Sequence, residues 1–251
     1  FSGAIKEQDA RLTDGDLVSV YSFENKFLGT GHFNKGSITV RLFDFEEITI
    51  DRSFWLIRII IAFALRNQLN LVSNKDTTCY RLIHGEGDGM PGLIVDIYNR
   101  TAVIQCHTIG MYKIRSLVAD CIAEVLGQQI DTIYDKSSDT LHKQVGINVS
   151  NEFIKGNRQS DVVVENGLKF EVDWIGGQKT GFFLDQRENR KLLQSYCHEK
   201  NVLNTFAYSG GFSLYAIDAG ASMVHSVDSS KRACAIGEHN INLNFQSPHH
   251  H

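Results

Sequence analysis

The spacing of hydrophobic and polar residues changes character along this chain. Up to about residue 50 the two kinds alternate in short runs, most clearly at residues 16–21 and 37–42, with Gly29 and Gly31 between the runs. Such alternation predicts a small β unit of short strands that the glycines punctuate. Residues 51–75 contain a segment that is apolar around most of a helical circumference, which predicts a linking helix.

The segment from residue 76 to residue 175 mixes both patterns. Two alternating runs flank Asn99-Arg100, which predicts a hairpin, and residues 111–126 repeat with a helical period up to Gly127. Further strands are predicted near residues 130–134, 162–165 and 169–172. Asn166-Gly167 joins the last two of these strands and is a strong hairpin signal. The segment is therefore predicted to be an α+β unit.

From residue 176 to residue 246, helices and strands alternate. The predicted order is a helix at 185–197, a strand at 201–205, a helix at 210–219, a strand at 223–227 and a helix at 230–243. This order is typical of the opening of a parallel doubly wound sheet. Because two strands are too few for such a sheet, we expect the rest of the domain beyond Asn244. A homodimer is predicted to cover the sheet edge that this leaves.

Composition and charge limit the classes of protein and of binding partner that the sequence favours. The net charge of −4 gives no global reason to expect nucleic acid, so RNA contact would depend on a local surface. The five cysteines are not paired as CxxC, which fits small buried thiols in a cytoplasmic protein and predicts no metal site. No apolar stretch reaches the roughly 20 residues that a membrane span needs, so no membrane partner is expected. Residues 247–251 are set aside as a possible tag remnant.

Three features of the last segment predict one ligand site. Gly210 and Gly211 open a helix directly after a strand, which lets the backbone approach a ligand closely. Asp228 ends the next strand, 17 residues after Gly211, where a carboxylate can accept hydrogen bonds from both hydroxyls of a ribose. The aromatic pair Phe182-Phe183 lies upstream and could close over an adenine or a sulfonium. Taken singly, each has a structural interpretation: a turn glycine, a helix N-cap at Asp228, and core aromatics.

The predicted ligand is S-adenosylmethionine and not a dinucleotide. A pyrophosphate loop shows G-x-G-x-x-G, whereas this chain has only Ser209-Gly210-Gly211 at the turn. S-adenosylmethionine carries ribose and adenine without phosphate, so an acidic residue and a close turn are sufficient.

Three stretches of the chain resemble the ribosomal RNA large-subunit methyltransferase I family, whose members make 5-methylcytosine in 23S ribosomal RNA. Residues 1–5, FSGAI, resemble the start of the family's PUA domain, and residues 80–96, YRLIHGEGDGMPGLIVD, resemble the opening of its central domain. The most specific match is GQKTGFFLDQRENR at residues 177–190. The glycine turn and Asp228 correspond to the family's cofactor motifs, so the resemblance covers nearly the whole chain.

The resemblance implies an α/β fold combined with α+β. A small PUA-like β-barrel would occupy residues 1–50, a central α+β domain residues 76–175, and the start of a Rossmann-like class I methyltransferase domain, here incomplete, residues 176–246. It also implies the residues that bind S-adenosylmethionine. By resemblance, Phe183, Asp185, Gln186 and Arg187 border the cofactor pocket, Asn204, Phe206, Tyr208, Gly210 and Gly211 hold the methionine end, and Asp228 holds the ribose.

The resemblance further implies an RNA methyltransferase with ribosomal RNA as its partner. Family members continue with a Pro-containing motif and a cysteine nucleophile that this chain does not show. No catalytic residue is therefore assigned, and this chain by itself is expected to be inactive. Two alternatives stay open, a non-catalytic RNA-binding module and a fragment of a nicotinamide-cofactor oxidoreductase.

Local basic residues offer surfaces for RNA in spite of the negative net charge. One group is predicted beside the pocket and the other on the β unit, among aromatic residues that suit stacking on bases. The first group is Lys179, Arg187, Arg190 and Lys191, and the second is Lys26, Lys35 and Arg41.

Overall fold

The computed structural model describes residues 1–141, 148–246 and His250, and it shows a mixed α/β fold. Its contacts divide the chain into two compact units. The first contains Phe1–Asn70 and Arg81–Asn157, and the second contains Leu71–Tyr80 and Arg158–His251. The domain boundaries expected from the sequence stay predictions. No helix in the described part of the chain combines the length and apolar character that crossing a bilayer requires.

The N-terminal β unit is an open sheet of three antiparallel strands. Its strands are β1 (Leu17–Tyr21), β2 (Phe27–Phe33) and β3 (Val40–Asp44), in that order. The closed barrel expected from the sequence is therefore not seen in this segment. Gly29 and Gly31 were predicted to lie between strands, but both lie inside β2. A Cβ at Gly31 would collide with the carbonyl group of Arg41, so the glycine is needed where β3 approaches β2.

The predicted linking helix is confirmed as α1 (Arg52–Gln68). Asp51 caps it, because its side chain accepts a hydrogen bond from the N–H of Phe54 at 3.0 Å. Trp55 from this helix and Phe43 from β3 pack edge to face, with ring centroids 5.0 Å apart. The helix therefore shares its core with the β unit.

A five-stranded mixed sheet, apart from Cys79 and Tyr80 at the start of its first strand, lies in the first unit. Its order is β4 (Cys79–His84), β5 (Leu93–Tyr98), β6 (Thr101–Cys106), β7 (Thr132–Asp135) and β8 (Glu152–Lys155). The helices beside it are α2 (Ile109–Lys113), α3 (Arg115–Leu126) and α4 (Ser138–Leu141). The hairpin around Asn99-Arg100 is confirmed, and Asn99 has the positive φ of 49° that such a turn requires. The single helix predicted at residues 111–126 is wrong in one respect, because the helix breaks at Ile114.

The second unit contains an antiparallel hairpin and a parallel strand pair. The hairpin is β9 (Ser160–Glu165) and β10 (Leu168–Asp173), the parallel strands are β11 (Asn201–Thr205) and β12 (Met223–Val227), and the helices are α5 (Arg187–Cys197), α6 (Gly211–Asp218) and α7 (Lys231–Asn244). The predicted Asn166-Gly167 turn is confirmed, with φ of 49° and 84°. The predicted strand–helix alternation after residue 176 is also confirmed.

Candidate cofactor site

The turn after β11 carries an unusual backbone. Phe206, Tyr208 and Gly210 have φ values of 59°, 46° and 76°, so alternate residues take the left-handed conformation. Only glycine adopts this region readily, which makes the turn strained at its two aromatic residues. A Cβ at Gly210 would also come within 3.3 Å of the Cα of Gly237 on α7. The glycine at this position therefore meets both a conformational and a packing requirement.

Asp228 follows β12 and faces this turn. Because β11 and β12 are parallel neighbours, with Thr205 opposite Val227, their carboxyl ends bring the two loops together. One Asp228 oxygen accepts the N–H of Tyr208 at 2.9 Å, and the other accepts the N–H of Ser230 at 2.9 Å. These backbone donors, Ser230 first, hold the pKa of the Asp228 carboxyl below its usual value.

The structural interpretation of Asp228 as a helix cap is wrong. The residue that caps α7 is Ser230, whose side chain accepts a hydrogen bond from the N–H of Ala233 at 3.2 Å. Asp228 lies two residues before the cap, and its carboxylate is directed to the turn as well as to the helix start. Its place is therefore set by the turn that it joins.

A cavity of about 320 Å³ opens between the turn and α7. It is lined by Ala207, Tyr208, Gly210, Ser226, Asp228, Cys234, Gly237, Glu238 and His250. Three of these, Tyr208, Gly210 and Asp228, were predicted from the sequence. His250 belongs to the tail that was set aside, and its Nε2 lies 2.8 Å from the Oγ of Ser226.

Three other predicted residues lie on the turn or directly beside it without lining the cavity. The Nδ2 of Asn204 donates to the Oγ of Ser213 at 2.9 Å, which ties the end of β11 to α6. Phe206 is 91% exposed. Gly211 is buried, and a Cβ there would lie 3.2 Å from the Cδ of Arg190.

The loop before α5 contains Phe182 and Phe183 and is called the aromatic loop below. It contacts the turn through Tyr208. The rings of Phe183 and Tyr208 meet edge to face, with centroids 5.4 Å apart. The Tyr208 hydroxyl accepts the N–H of Gln178 at 2.9 Å and donates to the carbonyl of Gly181 at 3.1 Å. Burial raises the pKa of Tyr208, which keeps the hydroxyl proton available for the second bond. Phe183 therefore contacts a residue that lines the cavity, and its predicted role at the pocket border stays a prediction.

Asp185, Gln186 and Arg187 do not line the cavity. Asp185 is exposed and accepts a hydrogen bond from the Gln186 side chain at 2.9 Å. Arg187 turns instead to Glu165, with an Nε–Oε2 distance of 3.2 Å. Their predicted role at the pocket border stays a prediction.

Glu165, at the end of β9, is the centre of a buried charged cluster. Arg190 binds it with two contacts of 2.8 Å, and the Tyr215 hydroxyl donates to it at 3.0 Å. Arg190 also donates to the carbonyl of Phe183 at 3.0 Å, so the cluster supports the aromatic loop. The prediction that Arg190 offers charge to RNA is wrong, because its side chain is only 2% exposed and is used to neutralise Glu165.

Cysteine burial was predicted correctly for four of the five thiols. Cys79, Cys106, Cys121 and Cys197 are buried, but Cys234 is exposed and lines the cavity. Its Sγ lies 3.6 Å from the carbonyl oxygen of Asp228. Sequence reasoning missed this residue because a helical pattern alone did not show which face of α7 meets the turn.

Two sequence families match parts of the chain. The S-adenosylmethionine-dependent methyltransferase family matches residues 140–248, a segment that contains the turn and Asp228, and the PUA-like domain family matches residues 1–45. At the level of the family, the predicted enzyme class and cofactor are confirmed.

Curated relatives with a single name align along almost the whole chain. Ribosomal RNA large subunit methyltransferase I of Vibrio cholerae is 38% identical over 251 residues, and that of Vibrio vulnificus is 35% identical over 247 residues. Each alignment covers 97% of this chain, and the chain spans 61% of the length of these relatives.

Two solved structures share the fold. A Streptococcus mutans protein assigned as a SAM-dependent methyltransferase superimposes with a TM-score of 0.84 at 26% identity, covering 96% of this chain and 62% of its own. A protein assigned as a methyltransferase and complexed with SAH gives a TM-score of 0.82 at 26% identity, covering 95% and 61%. Relatives of one name align along 97% of the chain, and the matched methyltransferase segment contains every lining residue of the cavity except His250, so this chain is similar along almost its whole length to the ribosomal RNA large subunit methyltransferase I proteins.

Proposed function

We propose that this chain binds S-adenosylmethionine in the cavity between the turn and α7, as part of a methyltransferase that modifies large-subunit ribosomal RNA. The observation that carries the proposal is the bond between the Tyr208 N–H and the Asp228 carboxylate, at 2.9 Å, on the wall of a cavity of about 320 Å³. A cavity of that size falls within the roughly 300–1,000 Å³ of small-molecule sites.

Asp228 fits the ribose. Each of its oxygens accepts one backbone N–H, and a carboxylate oxygen has a second lone pair to offer. Both oxygens therefore keep the capacity to accept a ribose hydroxyl. Since its pKa is held below the usual value, Asp228 is ionised at neutral pH and accepts such bonds strongly.

The turn and the aromatic loop complete the site. We assign the methionine end to Asn204, Phe206, Gly210 and Gly211, because the turn's backbone has no side chain at its two glycines to obstruct a ligand. Tyr208 belongs to the same turn and also contacts Phe183 of the aromatic loop. Asp185, Gln186 and Arg187 follow on that loop, and we assign them to its rim on the family resemblance.

The chemistry proposed is methyl transfer to carbon 5 of a cytosine in 23S ribosomal RNA. The bound cofactor supplies an electrophilic methyl group, and this chain's residues bind and orient it. Carbon 5 becomes nucleophilic when a thiolate adds to carbon 6. Burial raises the pKa of both Cys79 and Cys106 to about 12, so neither supplies a thiolate. Cys121 and Cys197 are also buried, and Cys234 lines the cavity proposed for the cofactor, so we assign none of the five as the nucleophile.

Isothermal titration with S-adenosylhomocysteine and, separately, with NADH tests the proposal. We expect S-adenosylhomocysteine to bind and NADH not to bind. We also expect Asp228→Ala to weaken S-adenosylhomocysteine binding at least 10-fold. Asp218→Ala is the matched control, because Asp218 is an exposed carboxylate at the far end of α6. Binding of NADH alone would favour the oxidoreductase alternative, and equal affinities for both variants would overturn the assignment of Asp228.

The RNA-binding alternative makes a separate prediction about 23S ribosomal RNA. A module that resides in the β unit would keep its RNA affinity after deletion of everything beyond Gly176. Our proposal expects a weaker complex after that deletion, since the substrate must approach the cofactor site. The homodimer and the cytoplasmic location stay predictions, and neither is needed for the proposed activity.

A further inference from the structure

Asn240 is a fully buried polar residue on the face of α7 that meets the turn. Its Nδ2 donates to the carbonyl of Ser209 at 3.0 Å, and its Oδ1 accepts the N–H of Glu171 on β10 at 2.7 Å. One amide group thus joins the middle of the turn to the edge of the β9–β10 hairpin. Neither the glycine pattern nor the family motifs identified this residue.

Ser209 lies between the two left-handed residues nearest the cavity. Tyr208 before it has φ of 46° and Gly210 after it has φ of 76°. A backbone of this kind persists only where its surroundings fix it. The Asn240 amide fixes the Ser209 carbonyl, while Asp228 fixes the Tyr208 N–H at 2.9 Å. The peptide groups on the two sides of the Tyr208–Ser209 pair are therefore held by two different side chains.

Asn244, one helical turn further along α7, also binds the edge of β10 through its side-chain amide. Its Nδ2 donates to the carbonyl of Lys169 and its Oδ1 accepts the N–H of Lys169, both at 2.8 Å. Lys169 and Glu171 alternate along the same edge of β10. The two asparagines therefore both bind this edge, but the hydrogen bonds of Asn244 go to Lys169 on β10 and to Asn240 on α7, whereas Asn240 also binds the turn.

We propose that Asn240 is a positioning residue for the cofactor turn. It holds the Ser209 carbonyl in place, and so keeps Gly210 and the Tyr208 N–H where the cofactor and Asp228 require them. This inference rests on the proposed function for its effect on cofactor affinity. Its structural content, a turn fixed by an amide from α7, can be measured without the cofactor.

The test compares Asn240→Ala with the matched control Asn244→Ala. Both changes remove hydrogen bonds to the edge of β10, so we expect both to lower the midpoint of thermal unfolding. We expect Asn240→Ala to weaken S-adenosylhomocysteine binding at least 10-fold in isothermal titration, and Asn244→Ala to change it less than 2-fold. Equal affinities for the two variants would overturn the proposal.

Hydrogen exchange of the turn amides gives a second readout that needs no ligand. We expect faster exchange at Tyr208 and Gly210 in Asn240→Ala than in Asn244→Ala, and equal exchange would contradict the inference. If the unaltered chain fails to bind S-adenosylhomocysteine while this difference appears, the proposed function is wrong and the positioning role stands. Should Asn240→Ala not fold, Asn240→Asp serves instead, because it keeps the acceptor for Glu171 and replaces the donor to Ser209 with an oxygen.

Discussion

The hydroxyl oxygen of Tyr208 accepts the backbone N–H of Gln178 at 2.9 Å. The same hydroxyl donates to the carbonyl of Gly181 at 3.1 Å, so one side chain closes both ends of the loop before the aromatic pair. The backbone N–H of Tyr208 meanwhile binds Asp228. A single residue therefore connects the loop at residues 178–181 with the carboxylate that we assign to the ribose.

Tyr208→Phe is predicted to weaken cofactor binding while leaving the fold intact. It removes both hydroxyl bonds and keeps the ring that packs on Phe183. A hydrogen bond contributes about 0.5–1.5 kcal/mol net, so we expect S-adenosylhomocysteine affinity to fall roughly 10-fold, as measured by isothermal titration. Tyr196→Phe is the control, because Tyr196 lies on α5 and is 70% exposed. Equal affinities for the two variants would show that the loop does not depend on the hydroxyl.

Glu165→Ala is predicted to be among the most destabilising single changes in the second unit. The substitution leaves Arg187 and Arg190 near each other without the carboxylate that neutralises them. Removing one partner of a buried ion pair costs about 3–5 kcal/mol, so urea unfolding should show a loss of that order.

The control for this change is Asp161→Ala on the same strand. Asp161 pairs with Arg158 at 3.6 Å, and both side chains are partly exposed. Such a pair contributes about 0–1 kcal/mol. If the two variants lose equal free energy of unfolding, then the Glu165 cluster is not the structural centre that its contacts indicate.

Local signals in the sequence predicted those parts of the molecule that local chemistry determines. Asn166-Gly167 forms its hairpin turn because both residues accept positive φ, and Gly210 opens α6 for the same reason. Asp228 lies next to the turn because β11 and β12 are parallel neighbours whose carboxyl ends meet at one edge.

Features that depend on tertiary contacts were not predictable. Gly31 lies inside β2 because β3 approaches it, and nothing in the alternating pattern of β2 shows how near that strand comes. Arg190 has the sequence context of a surface cation, yet it turns inward to a carboxylate 25 residues away. Asn240 and Cys234 lie on one helix whose orientation about its own axis decides which of them is buried. The rotation of α7 about its axis is set by the residues that the helix packs against, and the helix's own sequence does not show which residues those are.

Cys234 is predicted to be the thiol that reacts first in the native protein. It is exposed, whereas the other four cysteines are buried, and burial raises the pKa of Cys79 and Cys106 to about 12. Iodoacetamide followed by mass spectrometry should therefore label Cys234 before any other cysteine. Because Cys234 lines the cavity, saturating S-adenosylhomocysteine should slow the labelling. Labelling at an unchanged rate would place the ligand elsewhere.

His32 and Asp135 are buried in the first unit, and acidification should change the free energy of unfolding in opposite directions through these two side chains. Burial, with a smaller contribution from Lys113, lowers the pKa of His32 to about 4, and the ring packs edge to face on Phe43 with centroids 4.6 Å apart. Burial raises the pKa of Asp135 to about 6. The fold therefore favours neutral His32 and protonated Asp135. Acidification from pH 6.5 to pH 4 destabilises the fold through the histidine and stabilises it through the aspartate.

The His32 contribution is fully present above pH 6.5 and is lost as the pH falls towards 4. The difference between 6.5 and about 4 corresponds to roughly 3 kcal/mol. We therefore expect the free energy of unfolding of His32→Gln, measured with urea, to rise relative to that of the unaltered chain by up to this amount between pH 7 and pH 4. The free energy of unfolding of Asp135→Asn should fall relative to that of the unaltered chain over the same interval. Parallel curves for His32→Gln would mean that burial does not keep the ring neutral in the native state, because a histidine with the same pKa in the folded and unfolded states contributes nothing to the pH dependence of stability.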